Sequence, residues 1–163
     1  MAMFTAILFV QEEALTFIPN IQLTIFFIVL YSKKLGFFRT SIIVLVHVIL
    51  DNLVMGSFSL LYTPAMFFGW MLIPVLFCTI CRKTENPLIL ACLAGFCGFL
   101  YCWSFILPNY LLMKIDPLVY LASDIVFEAI LAACGFLTVL ILYKPCSKLF
   151  DKFCLTRSTS NKN

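Results

Sequence analysis

Residues 118–143 read LVYLASDIVFEAILAACGFLTVLILY, from Leu118 to Tyr143, and they decide the class of the protein. The run is apolar over a length that crosses a bilayer, for which a helix needs roughly 20 residues. Two acids interrupt it, Asp124 and Glu128, four positions apart and so on one helical face. Asp116-Pro117 precedes the run, and Lys144-Pro145 follows it. Proline and charge at both borders mark a helix with defined ends rather than a buried strand.

Five more apolar runs lie upstream, separated by Pro, Gly and charge clusters. They cover Met1 to Ile18, Ile21 to Tyr31, Thr40 to Tyr62, Ala65 to Cys81 and Leu88 to Leu112. The breaks fall at Pro19-Asn20, at Lys33-Lys34 through Arg39, before Pro64, at Arg82 through Pro87, and at Lys114 through Pro117. Runs three to six are long enough to span; the first is marginal and the second is short. The chain is 63% hydrophobic and 12% charged. A soluble domain is about half apolar and a quarter charged, so this one lacks the polar surface to cover itself in water. The reading is an all-α membrane protein, a bundle of about six transmembrane helices. Residues 1–144 form the six-helix domain, and 145–163 a basic cytoplasmic tail.

Charge sets the expected orientation. The first, third and fifth connections contain only Lys114, whereas ten of the eleven Lys and Arg residues fall at the other end. Basic loops stay in the cytoplasm. Both termini are therefore expected there, in a multi-pass protein of the cell membrane. Trp70 and Trp103, near span ends, read as interface anchors. The eight cysteines sit in apolar runs or near basic ends and read as free, small hydrophobes. Cys78-x-x-Cys81 has no second pair, and His47 is the one histidine, so no metal site is expected.

Five carboxylates fall inside the runs: Glu12, Glu13, Asp51, Asp124 and Glu128. Each costs roughly 2.5–3.5 kcal/mol when ionised at the centre of a lipid-exposed helix. Together they rival the whole stability of a domain, roughly 5–15 kcal/mol. Some must therefore line a wet cavity, pair with one another, or carry a proton. His47 and Asp51, four apart on the third run, could form an intrahelical pair. The polar residues are weighted towards the end of the bundle away from the basic residues. A pocket at that end would suit capture of an external solute. There is no phosphate-binding Gly-x4-Gly-Lys-Ser/Thr loop, no serine nucleophile elbow and no His-Glu-x-x-His. The chain is read as not an enzyme. The alternative is a small membrane enzyme or assembly factor that uses the buried acids.

The stretch Glu13-Ala-Leu-Thr-Phe-Ile-Pro-Asn-Ile-Gln-Leu-Thr24, the short helix and basic turn after it, and the closing segment Ile125 to Lys148 resemble a known family. They are similar to the S components of energy-coupling factor (ECF) transporters, small membrane subunits that capture vitamins and other micronutrients. The resemblance implies an ATP-driven importer with a transmembrane coupling subunit and two cytoplasmic ATPases as partners, and no cofactor on this chain. It implies that Ala2 and Ala6, in Ala2-Met-Phe-Thr-Ala6, dock on the coupling subunit, because small residues four apart let helices approach closely. It also places the substrate in the outer half of the bundle. The contact candidates are Gln11, Glu12, Asn20, Gln22, Asp51, Asn109 and Asp124. Carboxylates in a water-poor pocket favour amino or cationic groups over anions.

Overall fold

The computed structural model describes residues 1–163 except 19, 57 and 161–163, and describes no side chains over 153–160. Pro19 of the first expected break and Lys162 of the tail thus lie outside the described residues, as do the side chains of Cys154 and Arg157. Among the described residues seven helices follow one another: α1 (Ala2–Leu15), α2 (Thr24–Leu35), α3 (Phe37–Val54), α4 (Tyr62–Thr79), α5 (Pro87–Trp103), α6 (Ile106–Met113) and α7 (Pro117–Ser160). No strand occurs among the described residues.

Four segments are long and apolar enough to cross a membrane: α3, α4, the α5–α6 pair (Pro87–Met113) and the stretch Pro117–Lys152 of α7. Their lipid-ready surface is visible in exposed side chains such as Phe68, Phe96, Val119 and Ile141. The other two runs are shorter. α1 has 14 residues and α2 has 12, about 21 and 18 Å against a hydrocarbon core of about 30 Å. For α2 the reason is its position. Thr24, Ile25, Phe26, Ile28, Val29, Leu30, Tyr31 and Ser32 are all buried, and α2 packs against α1, α3, α4, α5 and α7. It is the central post of the bundle, solvated by protein rather than by lipid.

Local chemistry explains most helix ends. Asn86 and Asp116 each accept a hydrogen bond from the backbone N–H two residues on, Leu88 at 3.0 Å and Leu118 at 2.8 Å. Each is followed by a proline at the first helical position, where a missing N–H costs nothing. Gly36 alone joins α2 to α3, at φ 81° and ψ 174°, a conformation open essentially to glycine. The third run was expected to continue to Tyr62. It stops at Val54 instead, because the chain turns at Gly56 with φ 62°. Pro64, expected to follow a helix, lies in the first turn of α4, where proline is tolerated. Pro108 divides the fifth run: its ring disfavours a helical carbonyl four residues back, at Ser104, and α5 ends at Trp103.

Contacts between helix ends fix an up-and-down arrangement. At one end Lys33 of α2 donates to the carbonyls of Cys81, Arg82 and Thr84 at 2.8, 3.1 and 2.9 Å, capping the C-terminus of α4. Lys34 pairs with Asp151 at 2.7 Å, and Phe150 stacks on Phe4 at 5.4 Å. α7 thus runs unbroken past Lys144 and through Pro145, and its basic end braces the start of α1. The opposite end holds the α1–α2, α3–α4 and α5–α7 connections. The most extensive helix pair is α5 with α7. It closes on small residues: a Cβ at Gly98 would lie 2.9 Å from the Ala132 Cα and 3.0 Å from its N.

Candidate functional site

A cavity of about 260 Å³ opens at the end opposite Lys33 and Lys34. α1 contributes Glu12, α3 contributes Asp51, the α1–α2 connection supplies Asn20 and Gln22, α4 supplies Met66, and α5 supplies Tyr101. Four of the seven predicted contact residues, from three separate stretches of chain, therefore share one cavity.

Glu12 is held firmly. Its Oε2 accepts a hydrogen bond from the Thr24 hydroxyl at 2.9 Å and lies 2.9 Å from His47 Nε2. His47 is fully buried, and neither of its ring nitrogens makes an aligned hydrogen bond with the described residues, so its approach to Glu12 is a close polar contact. The intrahelical His47–Asp51 pair expected from spacing is replaced by this contact between α3 and α1. The Thr24 hydroxyl is also 3.2 Å from Gln22 Oε1; one proton serves one acceptor, and the shorter Glu12 contact wins.

Gln11 lies beside Glu12 but turns the other way. Its amide donates to Leu8 O at 2.9 Å and Thr24 Oγ1 at 2.8 Å, while its Oε1 accepts from Leu23 N at 2.8 Å. It caps the start of α2, whose own N-cap residue, Leu23, has no side-chain acceptor. Asn20 sits in the left-handed region at φ 59°, which asparagine tolerates. Its amide ties the connection to α7 through Phe127 O at 3.1 Å.

Asp51 differs from every neighbour. It is 9% exposed, lines the cavity, and its carboxylate accepts no hydrogen bond from the described residues. Asn52, next along, is spent on structure: it accepts from Thr63 at 2.8 Å and donates to Val48 O at 2.8 Å.

The remaining candidates lie elsewhere. Asn109 accepts from Tyr62 OH at 2.8 Å and donates to Phe105 O at 2.8 Å, joining α6 to α4. Asp124 accepts from Tyr120 OH at 3.2 Å on its own helix. Glu128 accepts from Trp103 Nε1 at 3.2 Å across the α5–α7 pair, with its second oxygen buried and unpartnered. Trp70, expected as an interface anchor, is instead fully buried and stacked on Tyr101 with ring centroids 3.8 Å apart. It backs the cavity wall that Tyr101 forms. Tyr101, Met55 and Met66 were not singled out in the sequence, since one tyrosine and two methionines in apolar runs carry no pattern.

Ala2 and Ala6 line a second, almost wholly apolar groove of about 470 Å³ between α1 and α3, with Phe9, Ile42, Val46 and Leu50. The seven described cysteines are free. No group of three or more His, Cys, Asp or Glu among the described residues could hold a metal ion. Set against known proteins, the chain matches no family model, no curated protein and no solved structure.

Proposed function

We propose that the chain is the substrate-capturing subunit, an S component, of an ECF-type importer for a vitamin or similar micronutrient. The observation that carries this reading is the cavity enclosed by Glu12, Asn20, Gln22 and Asp51 at the end of the bundle farthest from the basic residues. With basic residues in the cytoplasm, both termini are cytoplasmic and the cavity faces outward in the cell membrane. A subunit that collects a scarce solute needs that geometry. The chain performs no chemistry on the solute and needs no cofactor of its own. ATP is hydrolysed by two cytoplasmic ATPases, linked through a transmembrane coupling subunit. The groove at Ala2 and Ala6 supports the same reading, because an apolar channel floored by small side chains accepts a partner helix at close range.

Co-expression with a candidate coupling subunit and its ATPases tests the proposal. The four proteins should purify together, and Ala2→Trp with Ala6→Trp should abolish that association while leaving the cooperative melt of the isolated chain intact. Undiminished assembly by the double variant removes the docking assignment. Absence of any complex with the unmodified chain removes the importer reading and favours an assembly factor.

A further inference from the structure

The cavity's two carboxylates are not equivalent. Glu12 is already answered by His47 and Thr24, at 2.9 Å each. Asp51 is nearly buried and accepts no hydrogen bond from the described residues, with His47 one turn back as its favourable electrostatic neighbour. Asp51 lines the open cavity with its acceptors unspent, where a donor from outside the chain can reach them. Resting on the reading of this cavity as a substrate site, we propose that it takes a small organic cation bearing N–H donors, with Asp51 as the specificity-determining counter-charge.

The charge layout points the same way. Six of the chain's eight acidic residues lie towards the cavity end: Glu12, Glu13, Asp51, Asp116, Asp124 and Glu128. Lys114 is the only Lys or Arg there among the described residues, and neither His47 nor any Lys or Arg lines the cavity. Such a field concentrates cations and repels anions. An anionic solute would meet two carboxylates with no compensating charge. A solute offering only acceptors would leave Asp51 unpaired.

The rest of the lining argues for an organic body over a bare ion. Leu15, Ile21, Met55 and Met66 supply an apolar wall, and no metal-holding cluster exists among the described residues. Tyr101 lines the same cavity and its hydroxyl makes no hydrogen bond with the described residues, so it is available as a second polar contact for the ligand. At about 260 Å³, the space falls below the roughly 300–1,000 Å³ of sites for drug-sized ligands. It fits one small ring system and excludes corrinoid-sized molecules.

The test measures melting and calorimetric binding of the purified full chain in detergent with benzamidine and 4-aminopyridine as cations, benzamide as a neutral isostere, and benzoate as an anion. The cations should raise the melting temperature in a concentration-dependent way, and benzamide and benzoate should not. Asp51→Asn should weaken cation binding at least tenfold, and Tyr101→Phe by a smaller factor. Met66→Trp, which fills the cavity from the α4 side, should abolish binding; it and the charge series decide the matter even where Asp51→Asn fails to fold. Equal binding of benzamide or benzoate overturns the proposal, as does the absence of binding by either cation. Unchanged cation binding by Asp51→Asn also overturns it, and would mean that a proton neutralises Asp51. The importer reading is separated by recruitment of the coupling subunit. Cation binding without recruitment keeps the site and removes the importer; recruitment with binding of neutral or anionic solutes does the reverse.

Discussion

The contact between His47 and Glu12 joins α1 to α3 at the back of the cavity, and its strength can be stated before it is measured. The perturbation is a double-mutant cycle with His47→Leu, Glu12→Gln and both together. Two full charges 2.9 Å apart at an effective dielectric of about 20 would attract by about 6 kcal/mol. A neutral imidazole N–H donating to a carboxylate contributes less, about 1.5–3 kcal/mol. Neither ring nitrogen of the buried His47 makes an aligned hydrogen bond, so the lower figure is the ceiling. The expected coupling energy is therefore about 1.5–3 kcal/mol, and in a chain of this length each kcal/mol moves the melting temperature by about 2–4 °C. Unfolding in mixed detergent micelles supplies the four stabilities. A coupling below about 0.5 kcal/mol, the additive limit for independent sites, refutes the contact. A value above about 4 kcal/mol keeps the contact and makes it one between two full charges.

Other outcomes follow from the same coordinates. Gly98→Ala pushes a methyl against the Ala132 backbone at 2.9 and 3.0 Å and should cost about 1–3 kcal/mol by overpacking, read as a lower melting temperature; a gain would show that α5 and α7 can part freely. Lys33→Met strips three carbonyl oxygens at the end of α4 of their donor and should destabilise the chain by about 3 kcal/mol, with faster amide exchange over residues 76–84. Gly36→Ala meets no steric obstacle, with nothing within 4 Å of its Cβ. It should still cost about 1–3 kcal/mol from backbone strain alone, measured by chemical unfolding. Asp124→Asn, outside the cavity, should leave benzamidine affinity within a factor of two by calorimetry; a tenfold loss would place the ligand against α7.

Much of the fold was readable because its signals are local. Asn86-Pro87 and Asp116-Pro117 pair a capping side chain with a proline, and α5 and α7 begin where those pairs stand. Apolar length identified four spanning segments in the same way. What could not be read depends on neighbours distant in the chain. Apolarity continues beyond Val54, so only the backbone at Gly56 says that α3 has ended. Trp70 has the composition and position of an interface anchor, yet its ring is covered by Tyr101, 31 positions away. Gln11 and Glu12 are adjacent and equally polar. Both touch the Thr24 hydroxyl, yet Gln11 also takes the Leu23 N–H and caps α2, whereas Glu12 turns to His47 and the cavity.

The acids sharpen that lesson, because the same residue type at similar depth has two fates. Glu128 faces the α5–α7 seam, the tightest in the bundle, where Trp103 supplies an indole N–H at 3.2 Å. Asp124, one turn away, takes the Tyr120 hydroxyl at 3.2 Å. Both donors are aromatic side chains of the bundle itself, so each carboxyl has one contact supplied by packing, although the second oxygen of Glu128 stays buried without a partner. Asp51 projects from α3 where α1 is short and its connection to α2 begins. The gap left there is the cavity, bordered by methionines and by a tyrosine whose hydroxyl is unspent. Had α1 run the full thickness of a membrane, its side chains would have closed this space, as α5 closes the space beside Glu128. The short first helix and the unanswered Asp51 are thus one feature, since ending α1 at Leu15 opens the room in which a ligand can meet the carboxylate.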